Sequence, residues 1–247
     1  MNSGTSRGNQ SKYIVNNNFI KVDSVGCCES VSEVLVSELQ YNIVNAQPFV
    51  DYSFCTYKGL NACICKNFLK GGESCVSLYS LLKGYNIPFN GGVDLKNAVV
   101  GLMNMVYGID IEYYLSYMIY LDAITLNEDR HLRNIAFILL QDGTLKPTPV
   151  FDYGLSLLSD KVSYPDWKKS IKDVKSQPFC NDFKEQVMLF ENPDIRIKYD
   201  KLIEKLLFAY NNTELFVNSS QKSDLKRGIN ILLYQLKSTE GVLWKRV

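Results

Sequence analysis

The stretch Asn127-Glu128-Asp129-Arg130-His131-Leu132-Arg133-Asn134, with Phe151-Asp152-Tyr153-Gly154 a short way downstream, decides how this chain is read. Four residues separate Asp129 from Asn134, and Asp152 follows eighteen residues later, ahead of a tyrosine and a glycine. Transfer of a phosphoryl group to a hydroxyl needs a carboxylate beside the attacking oxygen and two oxygen ligands for Mg²⁺. The pattern D-x-x-x-x-N followed by an Asp before a glycine supplies them. On this spacing Asp129 is the base, and Asn134 and Asp152 are the metal ligands.

The flanking segments suit those roles. Residues 109–126 predict a long helix rich in Leu, Ile, Met and Tyr that runs directly into the motif; its Tyr113, Tyr114, Tyr117 and Tyr120 read as core and groove packing. Residues 135–140 predict a strand, 141–144 a turn, and 145–151 the return to Asp152. A hairpin there puts both oxygen ligands at one rim. His131 is the chain's one histidine, which excludes two-histidine metal sites. Its ordinary reading is a packed structural residue, and its position leaves room for a catalytic role near a γ-phosphate.

Upstream, residues 3–12 are polar and contain two glycines. Strands are predicted at 13–15 and 19–22 around the turn signal Asn16-Asn17-Asn18, a hairpin with a Gly-containing loop at its entrance. Lys21 lies in the second strand, either as an edge residue with its ammonium in water or as the lysine that grips nucleotide phosphates. A helix follows at 29–39, and Glu33 is preferred over Glu29 as the partner of Lys21 because it lies beyond the fraying first turn. Strands at 49–57 and 60–65 flank a Lys58-Gly59 turn, after which Asn67, Phe68 and Leu69 form a hinge whose backbone would meet an adenine and whose side chains are nearly free to vary.

These elements predict an α+β fold of two lobes, a small β-rich lobe over residues 1–69 and a larger, mainly helical lobe over 70–247. Helices are expected at 76–83 and 93–107, and three more between Asp182 and Val247, with Asp182 and Ser223 or Asp224 as N-caps. The basic residues near the C-terminus read as a solvated helix face.

Composition adds boundaries. A chain of 247 residues with 46% hydrophobic and 21% charged residues can bury a core, and a net charge of +1 gives no global field for nucleic acid or a membrane surface. Seven cysteines, an odd number without a C-x-x-C pair, are most simply free thiols in a reducing cytoplasm. No secretory signal opens the sequence and no apolar run is long enough to span a bilayer.

With these residues in view, the chain resembles the HipA-like serine/threonine kinases over roughly residues 4 to 190. Gly8-Asn9-Gln10-Ser11-Lys12 is similar to the family's G-x-Q-x-K phosphate loop, Lys21 to its nucleotide lysine, Asp129 to Asn134 to its D-x-H-x-x-N catalytic loop, and Phe151-Asp152 to its aromatic-Asp metal ligand. Leu157-Leu158-Ser159-Asp160 and Gln177-Pro178-Phe179 also look like a bacterial branch of that family.

The resemblance implies a bilobal enzyme that binds ATP and Mg²⁺ and phosphorylates Ser or Thr of a protein substrate, with Gly8, Asn9, Gln10 and Lys12 holding phosphates. It further implies autophosphorylation in the phosphate loop, for which Thr5 and Ser6 are the local candidates, and an antitoxin partner in members encoded with one. The family's N-terminal subdomain does not precede the loop here, which implies a minimal form or a part supplied by another chain. Two alternatives remain at this level: a kinase of lipid or small-molecule hydroxyls, and a catalytically silent binding protein with the same fold.

Overall fold

The computed structural model describes residues 10–212 and 219–247. Among them, β1 (Ser11–Val15), β2 (Asn18–Val22), β3 (Ser53–Tyr57) and β4 (Leu60–Lys66) form an antiparallel sheet in the order β1-β2-β4-β3. Two tight turns set its register. Asn16 and Asn17 both lie at positive φ between the paired Val15 and Asn18, and Lys58 and Gly59 do the same between Tyr57 and Leu60. Left-handed residues at both central positions match the twist of a two-residue hairpin, and asparagine and glycine tolerate them best.

The register makes β2 an interior strand, so Lys21 is not an edge residue. It faces Cys63 on β4 and Lys12 on β1.

Helix α1 (Glu29–Tyr41) lies beside this sheet and is buried on nearly every side. Its N-cap residue, Cys28, makes no side-chain cap. Asp23, from the end of β2, supplies one instead: its carboxylate accepts from the Ser30 amide at 2.6 Å and the Ser30 hydroxyl at 2.8 Å.

The helical part is built on α4 (Glu112–Thr125), in which every residue from Tyr114 to Thr125 is buried; Tyr113 alone of its four tyrosines is exposed. A helix apolar all round belongs in the middle of a core. Of the other helices, α5 (Phe183–Met188) and α7 (Ser219–Thr239) pack against it, and α2 (Leu78–Gly84), α3 (Gly92–Tyr107) and α6 (Tyr199–Asn211) complete the helical part. Gly228 of α7 allows a close crossing with α1, since a Cβ there would stand 2.7 Å from Leu35 Cδ1 and 2.9 Å from Val31 Cγ1.

Several expectations are corrected. Residues 74–77 form a strand, β5 (Ser74–Ser77), and only then does α2 begin; β5 pairs with β6 (Ala136–Leu139), which pairs with β7 (Leu145–Pro147). The β-branched Val76 finds its partner in Phe137, far along the chain, a pairing no local pattern shows. Asp182 does cap α5, accepting from the Glu185 amide at 2.9 Å. Neither Ser223 nor Asp224 starts a helix: both lie inside α7, and Asp224 pairs with Lys161 at 2.8 Å. The parallel pair β8 (Arg196–Ile197) and β9 (Lys245–Arg246) had no sequence signal.

One buried ion pair fixes the loop that leaves α4. Arg130 and Asp122 are both fully buried; Nε and Nη2 of Arg130 donate to the two Asp122 oxygens at 2.9 and 3.0 Å. Asn127 adds a bond to Asp122 at 2.8 Å. Arg130 Nη1 then donates to the carbonyls of Asn134 at 3.1 Å and Phe151 at 2.7 Å.

Removing one member leaves a buried charge unmatched, whereas removing both does not. Arg130→Met is therefore expected to cost about 3–5 kcal/mol in chemical denaturation. The Asp122→Leu/Arg130→Met double variant is expected to cost clearly less than the sum of the singles; additive losses would show that the pair is not coupled.

A second test concerns Asp23. Burial, with smaller contributions from Glu29 and Asp224, pushes its carboxyl up to about 7 against the Ser30 hydrogen bonds. The folded protein thus holds this proton more tightly than the unfolded chain, whose Asp titrates near about 3.9. Stability from this group is full below that value and is lost as pH rises toward 7, at up to about 1.4 kcal/mol per pH unit. Asp23→Asn keeps an acceptor for Ser30 and is expected to flatten the pH 4.5–7.5 stability profile relative to the parent. Parallel profiles would remove Asp23 as the cause.

Candidate active site

The charged centre of the site comes from β2, α1 and the loop after β7. Lys21, buried in β2, donates to Glu33 Oε1 of α1 and to Asp152 Oδ1 at 2.7 Å, and its ammonium lies 5.0 Å from the centroid of Tyr52. Glu33 Oε2 accepts from the Tyr153 amide at 2.9 Å, so one glutamate holds both the lysine and the backbone next to Asp152. The preference for Glu33 over Glu29 holds: Glu29 instead accepts from the Ser24 amide at 3.0 Å.

Lys12 of β1 reaches the other oxygen, Asp152 Oδ2, at 3.2 Å. Lys12 and Lys21 are direct cross-strand partners, and like charges so placed repel. A carboxylate shared between them removes that cost. Burial would raise the Asp152 carboxyl, but Lys21 and Lys12 outweigh it and hold it well below the usual range. Burial would lower the Lys21 ammonium, but Asp152 and Glu33 raise it well above its usual value. Both groups are charged at neutral pH.

The catalytic-loop candidates lie on a tight turn after α4. The Asp129 carbonyl accepts from the His131 amide at 2.8 Å and from Asn134 Nδ2 at 3.1 Å, and the Asn134 amide donates to the His131 carbonyl at 2.8 Å. With Nδ2 so engaged, Asn134 presents Oδ1 as an acceptor. Burial, opposed by His131 and reinforced by Asp152, raises the Asp129 carboxyl. His131 Nε2 stands 3.9 Å from Asp129 Oδ2, and its Nδ1 is buried with no hydrogen-bond partner among the described residues.

Residues without a role on sequence grounds complete this part. Gln177 Nε2 donates to the Glu128 carbonyl at 2.9 Å and to Asp129 Oδ1 at 3.3 Å. Tyr164 donates to Glu128 Oε2 at 2.7 Å. Arg130 joins the Asn134 and Phe151 carbonyls, so it sets Asn134 and Asp152 side by side. Its place in the quoted motif was the signal available; its burial was not legible.

Gln10 begins the described chain. Its Nε2 is buried without a hydrogen-bond partner among the described residues, and its Oε1 lies 3.5 Å from where a Cβ on Gly154 would stand. The tighter neighbour of Gly154 is α1, where a Cβ would stand 3.3 Å from Glu29 Cβ. Gly8, Asn9, Thr5 and Ser6 lie outside the described residues.

The hinge candidates form a separate group. The Asn67 amide donates to the Asn17 carbonyl at 3.0 Å, the Asn67 side chain bonds that of Asn17 at 3.2 Å, and the Leu69 amide donates to Asn67 Oδ1 at 3.0 Å. Asn67 is thus committed to shaping the loop, contrary to the expectation that side chains here vary freely. The Phe68 ring lies 6.0 Å from that of Phe151, the residue before Asp152.

The donor set suits one kind of metal. Among the described residues no three His, Cys, Asp or Glu side chains converge as a metal site. Mg²⁺ does not require such a cage, because it binds through one or two carboxylates together with waters and phosphate oxygens. Asp152 with the Asn134 amide oxygen fits that pattern. The half-exposed Lys12 already places a cation on Asp152 Oδ2.

No family model matches the chain, and no curated protein does. Solved structures do. A Helicobacter pylori proinflammatory kinase, CtkA, superposes with a TM-score of 0.63 at 17% identity, covering 93% of this chain and 90% of that one. A chain of the Shewanella oneidensis MR-1 HipA–HipB toxin–antitoxin complex with operator DNA gives a TM-score of 0.47 at 13% identity, covering 90% of this chain and 58% of that one. The first likeness establishes the fold: an α+β, kinase-like arrangement with a small antiparallel sheet set against a helical portion.

Proposed function

We propose that the protein is an ATP- and Mg²⁺-dependent serine/threonine protein kinase of the HipA-like type. The observation that carries this reading is the buried Lys21 held between Glu33 and Asp152. A lysine withdrawn from water and aimed by two carboxylates is costly to a fold, and phosphate binding gives it a purpose.

On this reading Lys21 grips the α- and β-phosphates and Glu33 aims it. Gly8, Asn9, Gln10 and Lys12 serve the phosphate loop, and the orphaned Gln10 Nε2 is a donor available to a phosphate oxygen. Lys12, half exposed, can exchange Asp152 Oδ2 for such an oxygen. Asn134 Oδ1 and Asp152 would hold Mg²⁺, which would neutralise charge on the phosphates. Asn67, Phe68 and Leu69 form the adenine edge; two of their amides are already engaged, and the Phe68 N–H has no partner among the described residues.

Asp129 takes the proton from the acceptor hydroxyl. Gln177 occupies its Oδ1, leaving Oδ2 to face the acceptor. The raised carboxyl brings this base closer to neutral pH, where general bases work best. His131, beside Oδ2, serves the γ-phosphate side of the same step. Protein acceptors are favoured over lipid ones on the resemblance alone.

The test is incorporation of phosphate from labelled ATP into the protein itself and into protein acceptors, with sites mapped by mass spectrometry, Thr5 and Ser6 included. Asp129→Asn is expected to lower the rate about 10²–10⁴-fold with the fold retained by circular dichroism. Asp152→Asn is expected to abolish the Mg²⁺ dependence of nucleotide binding. Near-full activity in Asp129→Asn would end its assignment as the base.

A further inference from the structure

Arg133 is exposed, stands between the proposed base and the ligand Asn134, and makes no hydrogen bond or ion pair among the described residues. It is nevertheless held in place. Its guanidinium lies 4.2 Å from the centroid of Tyr79, and the Tyr79 ring lies against that of Phe89 at 5.3 Å. A cation stacked on an aromatic face keeps its in-plane donors free.

This cation and aromatic row is tied to the catalytic loop from both ends. The Tyr79 amide donates to the Leu132 carbonyl at 3.0 Å. Beyond Phe89, the Gly92 amide donates to the Phe179 carbonyl, and Gln177, two residues before Phe179, holds Asp129 Oδ1. Through these contacts Arg133, Tyr79, Phe89 and Gln177 are linked to one another and to the proposed base. A segment presenting a hydroxyl to Asp129 would lie along this row.

We infer that Arg133 selects acceptors carrying an anionic group, a carboxylate or a phosphate, close in sequence to the target hydroxyl. The inference rests on the protein-kinase reading and adds a substrate class to it. Guanidinium pairs such oxyanions in a planar, two-bond geometry, and among the described residues no carboxylate is paired with it.

Serine peptides differing only in flanking residues, with Glu, phosphoserine, Ala or Lys at each position within three of the acceptor, give the test. The wild-type protein is expected to phosphorylate acidic over neutral peptides by about tenfold or more in kcat/KM at the preferred position. The Glu and phosphoserine arms decide which oxyanion is used. Arg133→Ala is expected to bring the acidic-to-neutral ratio near one, and Arg133→Glu to invert it in favour of Lys.

A ratio near one in the wild type, a ratio that survives Arg133→Ala, or an effect of Arg133→Ala confined to KM for ATP would each overturn the inference. Neutral peptides phosphorylated without preference would sink the inference while the kinase reading stands. No phosphorylation of any peptide or protein would sink both.

Discussion

Arg130 carries a positive charge to a place that water does not reach, and the arrangement of the site follows from how that charge is met. Its side chain is fully buried. Asp122 cancels the charge from α4; the Asn134 and Phe151 carbonyls take a third donor; and the face of Tyr153 lies 4.6 Å away. Burial would lower its affinity for the proton, yet Asp122 and its neighbours raise it, so the guanidinium stays charged. Lysine could not replace it. A guanidinium has donors spread in a plane, and here they reach three separate segments at once. Asp129, Asn134 and Asp152 are brought together by one side chain that hydrogen-bonds none of their carboxylate or amide groups.

A second constraint operates on the sheet side. Cross-strand pairing puts Lys12 opposite Lys21, an arrangement that weakens a sheet unless something answers it. Asp152 answers it, and Glu33 balances the remainder. These four groups form a charge-neutral set drawn from two strands, one helix and one loop. Helix α1 holds more of that loop: Ser32 donates to the Ser156 carbonyl at 2.7 Å, and the Cys28 amide to the Ser159 carbonyl at 3.0 Å. From α7, Arg227 reaches the Leu158 carbonyl at 3.2 Å. The position of α1 and the placement of Asp152 are therefore one structural variable.

How much of this was legible in the sequence depended on whether the signal was local. The Asp129, Asn134 and Asp152 spacing, the Lys21 and Glu33 pair, the hairpin turns and the apolar α4 were all readable, because each is written in neighbouring residues or in a fixed spacing. The role of Arg130 was hidden, since a charged residue in a polar loop reads as solvated until its buried partner, eight positions earlier, is seen. Val76 and Ser77 read locally as the start of a helix because the hydrogen bonds that make them a strand go to β6. Asp224 looked like a cap because Asp at a helix start is common; its partner Lys161 belongs to another segment. Asn67 looked variable because backbone was expected to do the work that its side chain does.

The loop after Asp152 shows what these constraints cost and what they achieve. Asp152, Leu157 and Leu158 all lie at positive φ, which is unfavourable for residues with a Cβ. Such conformations persist only where surrounding contacts over-determine them. Here the Tyr153 amide is held by Glu33, the Leu157 amide by the Thr125 carbonyl at 2.8 Å, and Ser159 by the Gly154 carbonyl at 2.7 Å. Relaxing Asp152 to an ordinary backbone would swing its carboxylate away from Lys21 and leave a buried ammonium facing Glu33 alone. The strained turn and the buried lysine thus stabilise each other, and a loop free to relax could not keep one carboxylate oxygen on Lys21 while offering the other to Lys12 or to the metal proposed for this site.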